Sequence, residues 1–466
     1  MSAAPEPAAA AAAPAIRTEA DLLAEVRAND VRTVRFLYCD PSGVIRGKSV
    51  HAARLEGRAR EGLGLTRAQN AVNVLEDLVP IEGMEPVGEI RIVPDLSTYT
   101  RLPWVDRAAS VLCDQVGHDD ADWGGCTRAF LKRAVARAGE AGLAVRASFE
   151  VEFYLAERGP DGPVPFGNGP VYSSAGLDRA AAVMGDVVDA LVAQGLVVEQ
   201  VLNEYGPGQQ EISIRYDGAL RAADNHLKLR DTVRGVAEVG HGLVASFAPK
   251  PFRDGIGSGA HVHFSLWDPA GDRNLFHDPA DAFAISPLGR SFLAGILERL
   301  PALVALTCPS YLSYDRLRPQ AWAGSTVSWG FDNREAALRV ASPFRGREME
   351  SINAELKACD GSSNPYLALG GLILCGLDGV ARGLDLPAPA PRDPSRLSAP
   401  EREACGIRPL PGTQADALDE LERDEVLMEG LGDLLGRSVV AVRRAEWDRC
   451  RAMGDEWARA ATFDVF

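Results

Sequence analysis

From Val145 to Leu155 the chain alternates without a break. Val145, Ala147, Phe149, Val151, Phe153 and Leu155 are apolar, and Arg146, Ser148, Glu150, Glu152 and Tyr154 stand between them. A period of two is that of a strand with one face in a core, so Glu150 and Glu152 share the other face. Gly257 to Leu266, GSGAHVHFSL, repeats the pattern: Val262, Phe264 and Leu266 alternate with His261, His263 and Ser265. So does the stretch after the tight turn Glu204–Glu211 (EYGPGQQE), where Glu211, Ser213 and Arg215 alternate with Ile212, Ile214 and Tyr216. Elsewhere, 21–30 and 127–141 have helical periodicity. Strands are predicted at 31–38, 44–50 and 90–96, the first two joined as a hairpin through Asp40-Pro-Ser-Gly. From Thr413 onward the pattern is helical. The segment 16–110 is thus a small α+β domain and 111–466 a second, larger one. Residues 1–15 are nearly all alanine and proline and predict a disordered tail.

Composition narrows the classes of function. The 466 residues are 46% hydrophobic and 24% charged, with a net charge of −16. That disfavours nucleic acid and anionic membrane as partners. Eight scattered cysteines form no CxxC pair and suggest neither a zinc knuckle nor a disulfide framework. The apolar run 367–377 is too short to span a bilayer. No secretory signal pattern opens the chain, and a reducing, cytoplasmic setting is expected.

Carboxylates side by side on a strand face repel unless water or a cation relieves them. Glu150, Glu152, Glu204, Glu211 and His261 form an oxygen-rich donor set that suits Mg²⁺ or Mn²⁺. Arginines follow at 316, 318, 334, 339, 345 and 347. Metals and guanidinium groups in one cleft are what phosphoryl transfer requires. Neither a GxxxxGK[ST] loop nor a GxGxxG turn after a strand is present, so any ATP site lies outside those designs.

Eight motifs in order, FEVEF (149–153), EYGPGQQE (204–211), AADN (222–225), PKPF (249–252), GSGAHVHFSL (257–266), SYDRL (313–317), NREAALRV (333–340) and NPYL (364–367), resemble those of the glutamine synthetase superfamily. The resemblance runs from about Arg17 to the end. It implies a β-grasp N-terminal domain, a catalytic domain on a curved antiparallel sheet with surrounding helices, and a homo-oligomer, usually a dodecamer of two stacked hexameric rings with sites between subunits. It implies that Glu152, Glu204 and Glu211 hold one metal and Glu150, His261 and Glu355 another. His263 and Ser265 fall on the nucleotide side, with Tyr216 near the adenine of ATP. Arg334 and Arg339 act on the transferring phosphoryl group, and Gly257 and Arg316 bind L-glutamate.

This chain also departs from the resemblance. The glutamate that binds ammonium in glutamine synthetase proper corresponds to Trp322, and the stretch 62–69 lacks the aspartate expected from a neighbouring subunit. A tryptophan face suits an alkylamine, through dispersion and cation–π contact. Members with tryptophan here resemble γ-glutamyl–amine ligases acting on polyamines or on monoamines such as ethanolamine. Lys357 replaces a second arginine for the glutamate carboxylate, and Ile256 and Asn353 replace polar residues of the site. The loop 393–398 offers Ser395 and no tyrosine for adenylylation. The expected activity is ATP-dependent ligation of glutamate to an amine through γ-glutamyl phosphate. Ordinary glutamine synthesis from ammonium and a non-catalytic ring-forming homologue are the alternatives. A polyamine calls for a second acidic pocket; Glu76, Asp77, Glu82 and Glu85 are available, although a solvated acidic loop explains them as well.

Overall fold

The computed structural model describes residues 16–167 and 169–466; the stretch 1–15, expected as a disordered tail, lies outside them. Six strands build the first sheet: β1 (Thr33–Cys39), β2 (Ile45–His51), β3 (Leu63–Thr66), β4 (Glu89–Pro94), β5 (Thr100–Arg101) and β6 (Ala108–Val116). Their order is β2-β1-β6-β4-β3, with β5 beside β6. β1 and β2 are the predicted hairpin, and β1 runs parallel to β6. The helix Glu19–Ala28 is closed by a capping box on Thr18 and Asp21. It sends Leu22 and Val26 into a core with Phe36, Ile92 and Val111. β6 continues past position 110 as a buried strand, so the chain leaves this sheet only after Val116. The expected boundary at 110 falls inside that strand, whose sequence AASVLCDQV carries neither glycine nor proline as a turn signal.

The second sheet is organised on β7 (Ala144–Gly159). It also contains β8 (Gly162–Pro165), β9 (Val198–Asn203), β10 (Gln209–Ile214), β11 (Asp217–Gly218), β12 (Val244–Ser246) and β13 (Ala260–Trp267). After β14 (Thr326–Val327), which pairs outside this sheet, come β15 (Trp329–Phe331), β16 (Leu338–Ala341) and β17 (Asn353–Leu356). The main path is β15-β16-β17-β13-β7-β10-β9. All its pairs are antiparallel except β15 with β16.

The apolar face of β7 does what its alternation predicts. Val145, Ala147, Phe149, Val151, Phe153 and Leu155 are buried, together with Val262, Phe264 and Leu266 of β13. They share one core with the helices Thr127–Glu140, Ser174–Ala193, Ala219–Gly235, Pro287–Thr307 and Pro365–Arg382. The polar face is left to the site. The two domains are clamped together by Arg128, whose buried guanidinium donates to Asp95 and Asp114 of the first domain and Asp224 of the second. No helix among the described residues is long and apolar enough to cross a membrane.

Candidate active site

Register builds the site. Across β7, Glu150 faces His261 on one side and Ser213 on the other, and Glu152 faces Glu211. One step along, His263 faces Glu355, and Glu355 faces Arg339. Strands from distant parts of the chain thus lay carboxylates, imidazoles and a guanidinium on one sheet face. Glu204 joins them from the turn between β9 and β10, where its carboxylate accepts from the Tyr205 amide at 3.2 Å and the Tyr172 hydroxyl at 3.3 Å.

The polar face divides electrically. Glu355 is fully buried between two cations, Arg339 Nη1 at 2.7 Å and Lys357 Nζ at 3.1 Å, with the His261 Nδ1 at 3.2 Å. Burial pushes its carboxyl up, but Lys357 and its neighbours outweigh that and hold it at about 2. Glu150 is likewise held at about 2, against burial, by His263 3.3 Å away. His263 answers in kind: burial lowers it, and the carboxylates of Glu150 and Glu355 carry it up to about 9. The other three carboxylates are not held down in this way; at Glu152 the nearby Arg316 and the Gly259 amide do not outweigh burial. Burial and mutual repulsion raise Glu152, take Glu204 to about 7 and take Glu211 to about 9.

His261 differs from His263. Arg316 Nη2 donates to its Nε2 at 3.0 Å, so its proton sits on Nδ1, toward Glu355. Burial and the nearby Lys357 push it well below the ordinary imidazole value, and it is neutral.

This donor set fits divalent cations: carboxylate oxygens with imidazole and no thiolate. Glu150, His263 and Glu355 each offer one atom, all within 4.8 Å of one another. The expected trio had His261 in place of His263. As the side chains stand, Arg316 engages the Nε2 of His261 while the Nε2 of His263 lies 3.3 Å from Glu150, so the set with His263 stands beside the expected one.

Two cavities open over this face. One, of about 430 Å³, is lined by Glu152, Glu204, Glu211, Gly257, Arg316 and Trp322 among others. The second, of about 630 Å³, is lined by His263, Ser265, Tyr216 and Arg339 among others. Glu150 and Arg334 border both. No residue of the first domain lines either, among the described residues.

In the first cavity, Gly257 and Gly259 make room for Arg316. A Cβ on Gly257 would lie 2.7 Å from the arginine's Cγ, and one on Gly259 2.5 Å from its Nη2. The glycines therefore admit a side chain where close approach to a ligand was expected. Nη1 of Arg316 is buried with no partner, a free donor in a cavity wall. Lys357, expected to reach a glutamate carboxylate, instead donates to Glu355. Trp322 stands edge-on to Tyr205 at 5.4 Å, and Tyr205 edge-on to Tyr172 at 6.2 Å. In the second cavity Tyr216 stacks with Trp267 at 6.4 Å, and the Arg146 guanidinium lies 4.2 Å over the Trp267 ring. Ser265 accepts from the Trp267 indole at 2.8 Å.

The sequence singled out Trp322, Tyr216, Arg316 and the acids. It gave no role to Tyr172, Tyr205, Arg146 or Trp267. EYGPGQQE already carried Tyr205 beside Glu204, and that adjacency was the available signal. Tyr172 lies in a loop with no pattern. Glu76 is turned to Arg46 and Glu85 to the Gly83 amide, and neither lines a cavity.

The glutamine synthetase catalytic domain family matches residues 124–461, and the glutamine synthetase N-terminal domain family matches 18–125. The chain belongs to the glutamine synthetase family, whose members are ATP-dependent ligases that use divalent metal ions. It is 36% identical to the γ-glutamylpolyamine synthetase GlnA3 of Streptomyces coelicolor over 444 residues, 94% of this chain and 95% of that one. It is 35% identical to a glutamine synthetase of Mycolicibacterium smegmatis, over 92% of this chain and 96% of that one. A solved structure described as a novel glutamine synthase homolog superposes with a TM-score of 0.82 at 31% identity, covering 92% of this chain and 97% of its own. A GmaS/ADP complex gives 0.82 at 29% identity, covering 95% and 99%.

Proposed function

We propose that this protein joins the γ-carboxylate of L-glutamate to a primary amine, with ATP as the energy source. The observation that carries the reading is the wall of the first cavity, where Trp322, which the resemblance aligns with the ammonium-binding glutamate, stands edge-on to Tyr205. Indole and phenol faces give an alkyl chain dispersion contact and a cationic amine a π face. They offer ammonium little. The GlnA3 relative supports the reading by its name; the relatives named glutamine synthetase, at nearly the same identity, support ammonium as the second reading.

Arg316, with its free Nη1, holds a carboxylate of glutamate beside Gly257. Tyr216, Trp267 and Arg146 form the platform for the base of ATP, with Ser265 on the same side. Glu152, Glu204 and Glu211 would hold one Mg²⁺ or Mn²⁺, and Glu150, Glu355 and His263 the second. Bound there, the ions would neutralise phosphate charge.

The chemistry follows where the cavities meet. A γ-carboxylate oxygen of glutamate attacks the γ-phosphorus of ATP, and the β–γ bridge bond breaks to release ADP. Arg334, which borders both cavities, and Arg339 face the charge that spreads over the phosphoryl oxygens. The amine nitrogen then attacks the γ-carbonyl carbon of γ-glutamyl phosphate. Phosphate leaves with the C–O bonding pair, and the nitrogen gives up a proton to yield the γ-glutamylamide. Trp322 covers the incoming carbon chain.

A ring in which a neighbouring copy closes the site, as the family resemblance implies, is compatible with cavities that, among the described residues, are lined from the second domain. An acceptor screen by phosphate release, with glutamate and ATP constant, tests the reading. Putrescine, spermidine and ethanolamine should include acceptors faster than ammonium. A screen in which ammonium leads makes the protein a glutamine synthetase.

A further inference from the structure

The wall that carries Trp322 is held in an unusual backbone shape. Gln320 and Trp322 both have left-handed φ, at +61° and +52°, and neither is glycine. Ala321 and Ala323 between and after them are not left-handed, and Gly324 is again, at +71°. Such residues are strained and persist only where the surroundings fix them. Alternation of this kind turns successive amide N–H groups toward one point and makes a nest for an anion. Here the anion is a side chain. Glu335 accepts from the Gln320 amide with one carboxylate oxygen and from the Trp322 amide with the other, each at 3.2 Å.

Glu335 is placed for this by the parallel pair β15 and β16. Their link is too short for a helical crossover, so Asp332–Ala337 stands out as a loop. Asn333 ties it down by donating to the carbonyls of Ala390 and Arg392. The next two residues are Arg334, bordering both cavities, and Glu335.

We infer that Glu335 is a positioning residue for the acceptor: its carboxylate fills the nest at 320–322 and thereby sets the Trp322 indole against Tyr205 as the wall of the amine pocket. The chemical class of acceptor rests on the amine reading above. The nest itself rests on the hydrogen bonds and the backbone. The same contact ties the acceptor wall to the segment that carries Arg334. The acid absent from position 322 is thus present nearby, directed at the backbone rather than at the acceptor.

The test uses the full-length enzyme and four forms: wild type, Glu335→Ala, Trp322→Ala and the double variant. Each is assayed with the acceptor the wild type prefers, and with hydroxylamine, a nucleophile too small to use the indole wall. Glu335→Ala should raise KM for the preferred acceptor about tenfold or more while hydroxamate formation falls far less. The double variant should be no worse than Trp322→Ala alone, because both changes remove one wall. Millimolar formate should restore part of the acceptor KM in Glu335→Ala by refilling the nest, and should do nothing for Trp322→Ala. Additive losses, an unchanged acceptor KM, or equal loss with hydroxylamine would overturn the role of Glu335. A wild type that prefers ammonium would overturn the amine reading alone, since the cycle is then read on ammonium.

Discussion

The two halves of the carboxylate floor are built from the same residue type on the same sheet face, and they behave in opposite ways. Glu150 and Glu355 are paired with His263, Lys357 and Arg339 and are held at about 2. Glu204 and Glu211, which line the first cavity, have no ion-pair partner among the described residues and rise, by burial and the nearby acids, to about 7 and about 9. A buried charge is tolerated when it is paired and hydrogen-bonded. The first half meets that condition with its own side chains. The second half meets it only with an added cation or with protons. A bound metal therefore replaces protons in one half and competes with built-in cations in the other.

The largest expected effect comes from the half without cations. Glu152→Ala should abolish ADP formation, because it removes a donor and also the acceptor for the Gly259 amide and Gln209. Glu152→Gln keeps an acceptor oxygen and removes the charge; it should be equally inactive with an unchanged circular dichroism spectrum. Full ADP formation in either variant, or in excess chelator, would break the distinction between the halves.

Next comes the self-paired half. Arg339→Ala should lower kcat by about 10²-fold, the usual scale for an oriented charge acting on the transition state. Arg339 also neutralises Glu355 and so competes with a metal there; the variant should need less metal for half-maximal rate. A raised KM for ATP with unchanged kcat would make Arg339 a binding residue only.

Trp322→Ala should weaken amine use by about 1–3 kcal/mol in kcat/KM, through lost apolar contact with the acceptor chain. Loss of the Tyr205 edge contact belongs to the same effect. Equal damage to an alkylamine and to ammonium would separate the indole from acceptor choice.

The smallest effect is in stability. Glu204 and Glu211 are raised from an ordinary 4.5, and His263 from 6.5 to about 9. Without metal, the native protein holds more protons than the unfolded chain between those values and about 9, so stability falls as pH rises through that window. The depressed Glu150 and Glu355 add stability that is fully present above 4.5 and lost only as pH falls toward 2. They leave the window unchanged. Thermal melts at stepped pH in chelator should show a declining Tm, and Mg²⁺ or Mn²⁺ should flatten the decline by binding the deprotonated acids. A Tm rising with pH would contradict the assignment.

Much of this floor was legible in the sequence. Period-two alternation at 145–155, 211–216 and 260–266 places Glu150, Glu152, Glu211, His261 and His263 on one face, and the sheet keeps them there. What alternation does not carry is register. Both imidazoles reach Glu355, His261 at 3.2 Å and His263 at 3.9 Å, and the Arg316 that engages His261 comes from a short helix far along the chain. The helix Pro287–Thr307 hid its period because it is buried nearly all round, and Pro301 lies inside it. The nest at 320–322 was invisible for another reason: left-handed φ at glutamine and tryptophan has no compositional signature. β6 runs across the expected boundary because its buried stretch AASVLCDQV holds no glycine or proline to mark a turn.

A competition in one vessel tests the central claim most directly. Wild-type protein with glutamate, ATP and Mg²⁺ receives ammonium and a primary amine at equal concentration, and mass spectrometry follows both products from the first turnovers. The aromatic wall over the acceptor cavity predicts that the γ-glutamylamide of at least one of putrescine, spermidine and ethanolamine forms far ahead of glutamine. Glutamine forming ahead of every amide would contradict it.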